Sequence, residues 1–227
     1  FQAAIDVIRE RLPLSSVCGR VCHHPCEANC RRQFVDEAVA IREVKRFVSE
    51  HQGATGATVR RVHQTKARLA IVGAGPAGLS AALSLAQHGY RPTIFERFPV
   101  AGGIPATAIP KYRLPREVLQ QDIDWIVAHG VEIKTGVEIG RHKTIAQLKA
   151  EGFAAVLVAA GLAKSRTLPL PGADHPRVYG VLDFLTAASF DRPKEVGDSV
   201  VVIGGGNVAM DAARTAVRLG AKSVTAM

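Results

Sequence analysis

Past Cys30 the sequence contains no cysteine, and all four of its thiols fall in the opening thirty of its 227 residues. A disulfide framework is thereby excluded, and so is a redox-active cysteine pair in the body of the chain. No apolar run approaches the roughly 20 residues of a membrane span. The opening FQAAIDVIRERLP alternates charged with apolar positions where a signal peptide would hold an unbroken apolar core. A cytoplasmic location is the expectation. There is neither a Ser-His-Asp signature nor an H-E-x-x-H pair, so triad and zinc-protease chemistry drop out and reactivity must come from bound cofactors. Basic residues exceed acidic ones, 29 against 20, for a formal net charge of +9. The excess is spread along the chain, which argues against a nucleic-acid partner.

What is present begins with 47% hydrophobic content, enough for one large domain or two small ones. Two segments share one grammar: IVGAGPAGLSAALSLAQHG over 71–89 and VVIGGGNVAMDAARTAVRLGA over 201–221. In each, a β-branched strand (69–72 and 200–203) runs into a glycine turn and then a helix, the order that holds a pyrophosphate on a helix N-terminus. Gly73 or Gly204 makes the tight turn. Gly75 or Gly206 admits the phosphates, and Gly78 or the small Ala209 lets helix and strand pack closely. The helix end supplies free N–H groups and about half a positive charge. A second strand over 91–95 ends at Glu96, about twenty residues past the first turn, where an acidic side chain accepts ribose hydroxyls. The first site is thus complete, whereas the residue that separates NAD from NADP at the second lies beyond Met227.

The cysteines stand at 18, 22, 26 and 30, a strict four-residue repeat in VCGRVCHHPCEANCRR. Such clustering suits an iron–sulfur cluster, with a zinc site and plain reduced thiols as competing readings. The neighbouring His23 and His24 keep the zinc reading open. Asp36 can cap a following helix whose apolar side is Ile41, Val44, Phe47 and Val48. Residues 51–67 lack apolar periodicity and read as a linker.

After Glu96, ERFPVAGGIPATAIPKYRLP combines a glycine pair with four prolines and cannot be regular for long. Gly102 and Gly103 permit close approach to a cofactor, and Arg113 offers a planar fork to a phosphate or flavin edge. A helix follows over 116–129, with Leu119, Ile123, Ile126 and Val127 inward. Strands are expected at 131–134 and 154–159. FAD in the first site and a nicotinamide in the second would allow hydride transfer to the flavin and onward single-electron release.

These motifs have a counterpart. CGRVC (18–22), PCEANC (25–30), GAGPAGLSAA (73–82), GGIPATAIPKYRLP (102–115) and GGGNVAMDAARTAVRLGA (204–221) resemble, in order and spacing, the small subunit of NADPH-dependent glutamate synthase. The same module occurs in the N-terminal half of dihydropyrimidine dehydrogenase and in NADH-dependent ferredoxin:NADP oxidoreductases. The resemblance implies an α/β fold: a small α-helical iron–sulfur domain (1–66), a Rossmann-like FAD domain (67–195) and the start of an inserted NAD(P)H-binding Rossmann domain (196–227). Carried over by position, FAD contacts fall on Gly73, Gly75, Pro76, Ala77, Gly78, Glu96, Gly102, Gly103 and Arg113. Nicotinamide-cofactor contacts fall on Gly204, Gly205, Gly206, Asn207 and Val208. The [4Fe-4S] ligands are Cys22, Cys26 and Cys30, with Cys18 a fourth candidate.

Three features depart from that pattern. Four cysteines cannot build two full clusters, and Lys45 stands where relatives place a Gln or Glu ligand. The family's chain also continues past the second fingerprint, so this one is expected to be a fragment that turns over NAD(P)H poorly alone. The leading expectation is an electron-input subunit of glutamate synthase type, passing electrons to a larger catalytic subunit or a ferredoxin. A dihydropyrimidine dehydrogenase-type or ferredoxin-reducing module is the alternative. A non-catalytic scaffold and a zinc-dependent nucleic-acid binder are the rivals from other classes.

Overall fold

The computed structural model describes residues 1–52, 58–166 and 168–227. Residues 53–57 of the expected linker lie outside the described residues; 58–67 form no regular element. Four short helices make the head. α1 (Gln2–Arg9) and α2 (Ser15–Val21) are followed by the single turn α3 (Pro25–Ala28), opened by a proline in the first helical position, where no N–H is needed. A 3-10 turn (Arg31–Phe34) leads on to α4 (Ile41–Glu50). α2 and α4 pack so tightly that a Cβ on Gly19 would lie 2.9 Å from the Arg46 Cα. Ile5, Leu14, Val17 and Val48 are buried.

Two expectations about the head fail. Asp36 does not cap α4: it is engaged by the Arg32 guanidinium and the Glu37 amide, and Ala40 precedes the helix. Nor is the Val44–Phe47 side of α4 buried. The helix turns Val48 and Ser49 inward, while Phe47 stays half exposed, stacked on His51 with centroids 4.1 Å apart and edge-on to Phe1.

The first sheet is built from short apolar strands with helical crossovers, the arrangement that parallel pairing demands. β1 (Arg68–Val72) leads through α5 (Pro76–Gln87) to β2 (Arg91–Phe95). After the one-turn α6 (Ile104–Thr107) come α7 (Arg116–Ala128), β3 (Glu132–Lys134), α8 (Ile145–Ala150) and β4 (Ala155–Val158). The order is β3-β2-β1-β4, all parallel, with Val72 opposite Phe95 on one side and Val158 on the other. α5 buries Leu79, Ala82, Leu83 and Ala86. α8 carries a full capping box between Thr144 and Gln147. In α7, Leu119, Ile123 and Ile126 point inward as expected, but Val127 is exposed and a carboxylate, Asp122, is buried in the core.

Further along lie α9 (Val181–Ser189), β5 (Ser199–Val202), α10 (Asn207–Arg218) and β6 (Ser223–Ala226), with β5 and β6 paired in parallel. Packing divides the chain into Phe1–Gly103 with Arg113–Ala160, and Ile104–Tyr112 with Gly161–Met227. This division runs differently from the boundaries expected at 66 and 195. Phe184 and Leu185 of α9 share a cluster with Ala108, Ala212, Ala216 and Ala221, which draws residues 104–112 and 161–195 to the second fingerprint. Among the described residues no helix is long and apolar enough to cross a membrane.

Candidate cofactor sites

The first glycine turn is enclosed on three sides. Gly73 takes φ +106° and donates its amide to the Phe95 carbonyl at 2.8 Å; a Cβ there would meet the Ala159 carbonyl oxygen at 2.5 Å. Gly78 lies over the turn, and a Cβ on it would come within 1.9 Å of the Gly73 oxygen. The third side is the proline-rich loop. The Gly102 amide donates to the Ala74 carbonyl at 2.8 Å, and a Cβ on Gly103 would lie 2.7 Å from the Gly75 Cα. Gly75 caps α5 in an extended conformation, with Pro76 in the first helical position. Pro76 and Ala77 are exposed, so the helix end faces outward.

Glu96 is buried beside this turn. One carboxylate oxygen accepts the Ala74 amide at 2.8 Å and the other accepts the Phe98 amide at 2.9 Å. Each carboxylate oxygen can accept more than one hydrogen bond, so capacity remains for ribose hydroxyls. Expected residues Gly73, Gly75, Pro76, Ala77, Gly78, Glu96, Gly102 and Gly103 are thereby brought together. Arg113 begins the half-buried stretch that leads into α7. Backbone closeness and a buried acceptor beside a helix end fit an FAD, whose pyrophosphate needs the first and whose ribose needs the second.

The second turn repeats the backbone. Gly204 has φ +128° and its amide donates to the Met227 carbonyl at 2.6 Å. Gly206 caps α10 with φ −79° and ψ 174°, against −76° and 179° at Gly75. A Cβ on Gly205 or Gly206 would meet nothing within 4 Å. Asn207 and Val208 are exposed at the helix start, and Ala209 is buried under the turn. The free amides of α10 fit the pyrophosphate of a nicotinamide dinucleotide.

The cysteines divide by environment. Cys18 is half-buried in α2, and burial pushes its thiol up, with the neighbouring Cys22 adding and Lys45 opposing. Cys22 caps α2 and accepts the His24 amide at 3.3 Å. Cys26 is exposed in α3. At Cys30 the amides of Val39, Arg32 and Gln33 hold the thiol below its ordinary range. His24 pairs with Glu27 at 3.1 Å and His23 is exposed. Among the described residues no three His, Cys, Asp or Glu side chains converge as a metal site. The thiols therefore suit a cluster by their chemistry and not by their convergence.

A buried ion pair was not foreseen. Arg9 of α1 and Asp122 of α7 meet at 2.9 Å with side chains 2% and 0% exposed. Burial pushes the Asp122 carboxyl up despite the Val17 amide and Arg9, and pushes Arg9 down. Its only signal in the sequence was an acidic residue at an inward helical position.

The comparisons with known proteins agree with this geometry. Residues 1–57 match the family model described as dihydropyrimidine dehydrogenase domain II, 4Fe-4S cluster. The chain is 44% identical over 232 residues to the beta subunit of the NADPH-Fe(3+) oxidoreductase of Geobacter sulfurreducens, covering 99% of this chain and 34% of that one. It is 40% identical over 230 residues to the PreT subunit of the NAD-dependent dihydropyrimidine dehydrogenase of Salmonella typhimurium, covering 99% and 55% respectively. The chain thus spans between a third and about half of these relatives. Among solved structures, Mycobacterium tuberculosis FprA in complex with NADPH superposes with a TM-score of 0.58 at 26% identity, over 65% of this chain and 36% of that one. The matched families imply FAD and NAD(P)H for the two fingerprints and a 4Fe-4S cluster for the head, in keeping with the motifs. The pyridine nucleotide-disulphide oxidoreductase model matches residues 67–227, the larger part of the sequence, and the chain belongs to that family.

Proposed function

We propose that the chain is the electron-input part of a flavoprotein that oxidises NAD(P)H and delivers single electrons through its cysteine-rich head to an acceptor on a larger catalytic subunit or a ferredoxin. The observation that carries this reading is the pairing of two glycine turns of matching backbone, the first beside a buried Glu96. The chemistry FAD supplies when bound is hydride acceptance and one-electron release.

Each residue then has a stated task. The amides of Ala77 and Gly78 in the first turn of α5 take the flavin pyrophosphate, and Glu96 takes the ribose hydroxyls. Gly75 and Gly103 keep side chains away from the phosphates, and Arg113 neutralises charge at the flavin side. Gly204, Gly205, Gly206, Asn207 and Val208 receive the nicotinamide nucleotide. Cys22, Cys26 and Cys30, with Cys18, are the thiol donors of the head. Among hosts, an iron(III) reductase and a dihydropyrimidine dehydrogenase subunit are named among the relatives above. These names support the dihydropyrimidine dehydrogenase-type alternative. One of those relatives is named for NADPH and the other for NAD, so the donor is tested with both.

The test is an anaerobic absorption spectrum of the purified protein with iron and zinc analysis, before and after NADPH or NADH. Flavin bands over a broad iron–sulfur shoulder, bleaching with one donor, are expected. A folded, colourless protein that holds zinc would overturn the proposal.

A further inference from the structure

The two fingerprints do not explain why α7 carries a fully buried carboxylate. Asp122 Oδ2 accepts the Val17 amide at 3.0 Å; Oδ1 accepts from Arg9 Nη2 at 2.9 Å and faces the Ser16 amide at 3.4 Å. Arg9 also donates to Ser15 Oγ at 3.2 Å, and its guanidinium lies 4.6 Å from the centroid of Trp125, one turn further along α7. The groups gathered here belong to the entry of α2, directly ahead of Cys18, and α2 ends at Cys22. α7 also packs against α5, the helix that begins at the first glycine turn. Packed helices thus join the cysteine-bearing α2 to the first glycine turn.

We propose that Asp122, braced by Arg9, is a positioning residue that fixes the cysteine-bearing α2 in one register relative to the first glycine turn. The proposal rests on the reading of the head as the electron exit. A buried ion pair contributes little stability over apolar residues of the same volume, because desolvation of both charges offsets their attraction. Direction is what apolar residues would not supply. Leucine and methionine could fill this space with α2 slid or rotated. Two adjacent amides and a guanidinium aimed at one carboxylate admit a single placement.

The experiment compares the full-length protein with Asp122→Asn, Asp122→Glu and the double variant Asp122→Leu with Arg9→Met. The double variant removes the acceptor without leaving a charge buried, which keeps the test open if Asp122→Asn does not fold. The expected result is wild-type flavin content and melting temperature in the double variant, with amide exchange over residues 15–22 about tenfold faster. Flavin bleaching by NAD(P)H should be unchanged while electron passage to an external acceptor slows, and Asp122→Glu should restore part of both readouts. Exchange over 15–22 at the wild-type rate in the double variant would overturn the proposal. Lack of flavin or of bleaching in the wild-type protein would sink the functional reading instead, and the exchange comparison would still decide for or against Asp122.

Discussion

The two glycine turns share backbone angles within a few degrees at their helix caps, yet differ in what surrounds them. At the first, added methyl groups on Gly73, Gly78 and Gly103 would each strike backbone, whereas at the second, methyl groups on Gly205 and Gly206 would meet open space. The same sequence grammar therefore carries two kinds of constraint. At Gly73, Gly78 and Gly103 the protein itself demands glycine, whereas at Gly75, Gly205 and Gly206 an added side chain would meet little of this chain and would be forbidden by a bound nucleotide. At the first site a buried acceptor adds to this: Glu96 fixes two amides.

The sharpest way to break this comparison is to exchange the residue under each turn. Gly78→Ala places a methyl group 1.9 Å from the Gly73 oxygen and should destabilise the protein by about 3 kcal/mol, at the upper end for overpacked sites. Ala209→Gly at the equivalent place in α10 should cost about 1 kcal/mol, the usual penalty for glycine in a helix. Urea unfolding of both variants checks the difference, and equal losses would remove the distinction between the turns.

Gly75→Ala sharpens it further, since φ at this residue is −76° and an added Cβ would meet only the Gly103 Cα at 3.8 Å. The protein should fold normally and bind FAD about tenfold more weakly, about 1.4 kcal/mol, measured by flavin titration of the apoprotein. Normal FAD affinity would show that no phosphate passes close to Gly75. Glu96→Gln should have a smaller effect. It keeps one acceptor oxygen but leaves either the Ala74 or the Phe98 amide without its partner, at about 1 kcal/mol. Calorimetric melting with and without FAD separates the loss in the protein from the loss in ribose binding.

What the sequence revealed and what it hid follow from how local each feature is. The strand-turn-helix units were legible because glycine spacing and β-branched runs are short-range signals, and Glu96 followed by counting from the turn. The approach of Gly103 to Gly75 was visible only as a permissive glycine pair, because the partner comes from a distant stretch of chain. Asp122 was hidden for a related reason. Its apolar neighbours Leu119, Ile123 and Ile126 marked the buried side of α7, but the charge that answers it sits 113 positions away on α1. Val127 shows the converse error: a β-branched residue beside that side proved to be solvent-facing. For the cysteines, spacing spoke to chemistry and not to convergence.

The weakest expected effect comes from a group that belongs to neither turn but ends the helix behind the first. His129 is buried after α7, edge-on to Trp125 at 4.6 Å and hydrogen-bonded through Nδ1 to the Trp125 carbonyl at 2.8 Å. Burial holds its pKa below the ordinary histidine range, opposed by that carbonyl and reinforced by the charges of Arg9 and Arg61. Below the unfolded value of about 6.5 the unfolded chain binds the proton more readily than the folded one. The contribution of neutral His129 is therefore complete above that pH and is lost as pH falls through the lower folded value. Urea midpoints measured from pH 8 down to pH 5.5 should decline for the wild-type protein, and His129→Gln, which carries no titrating ring, should decline less. Parallel curves for the two would mean that the proton is accommodated at His129 without cost, and that the end of α7 behind the enclosed turn is more open to water than its packing indicates.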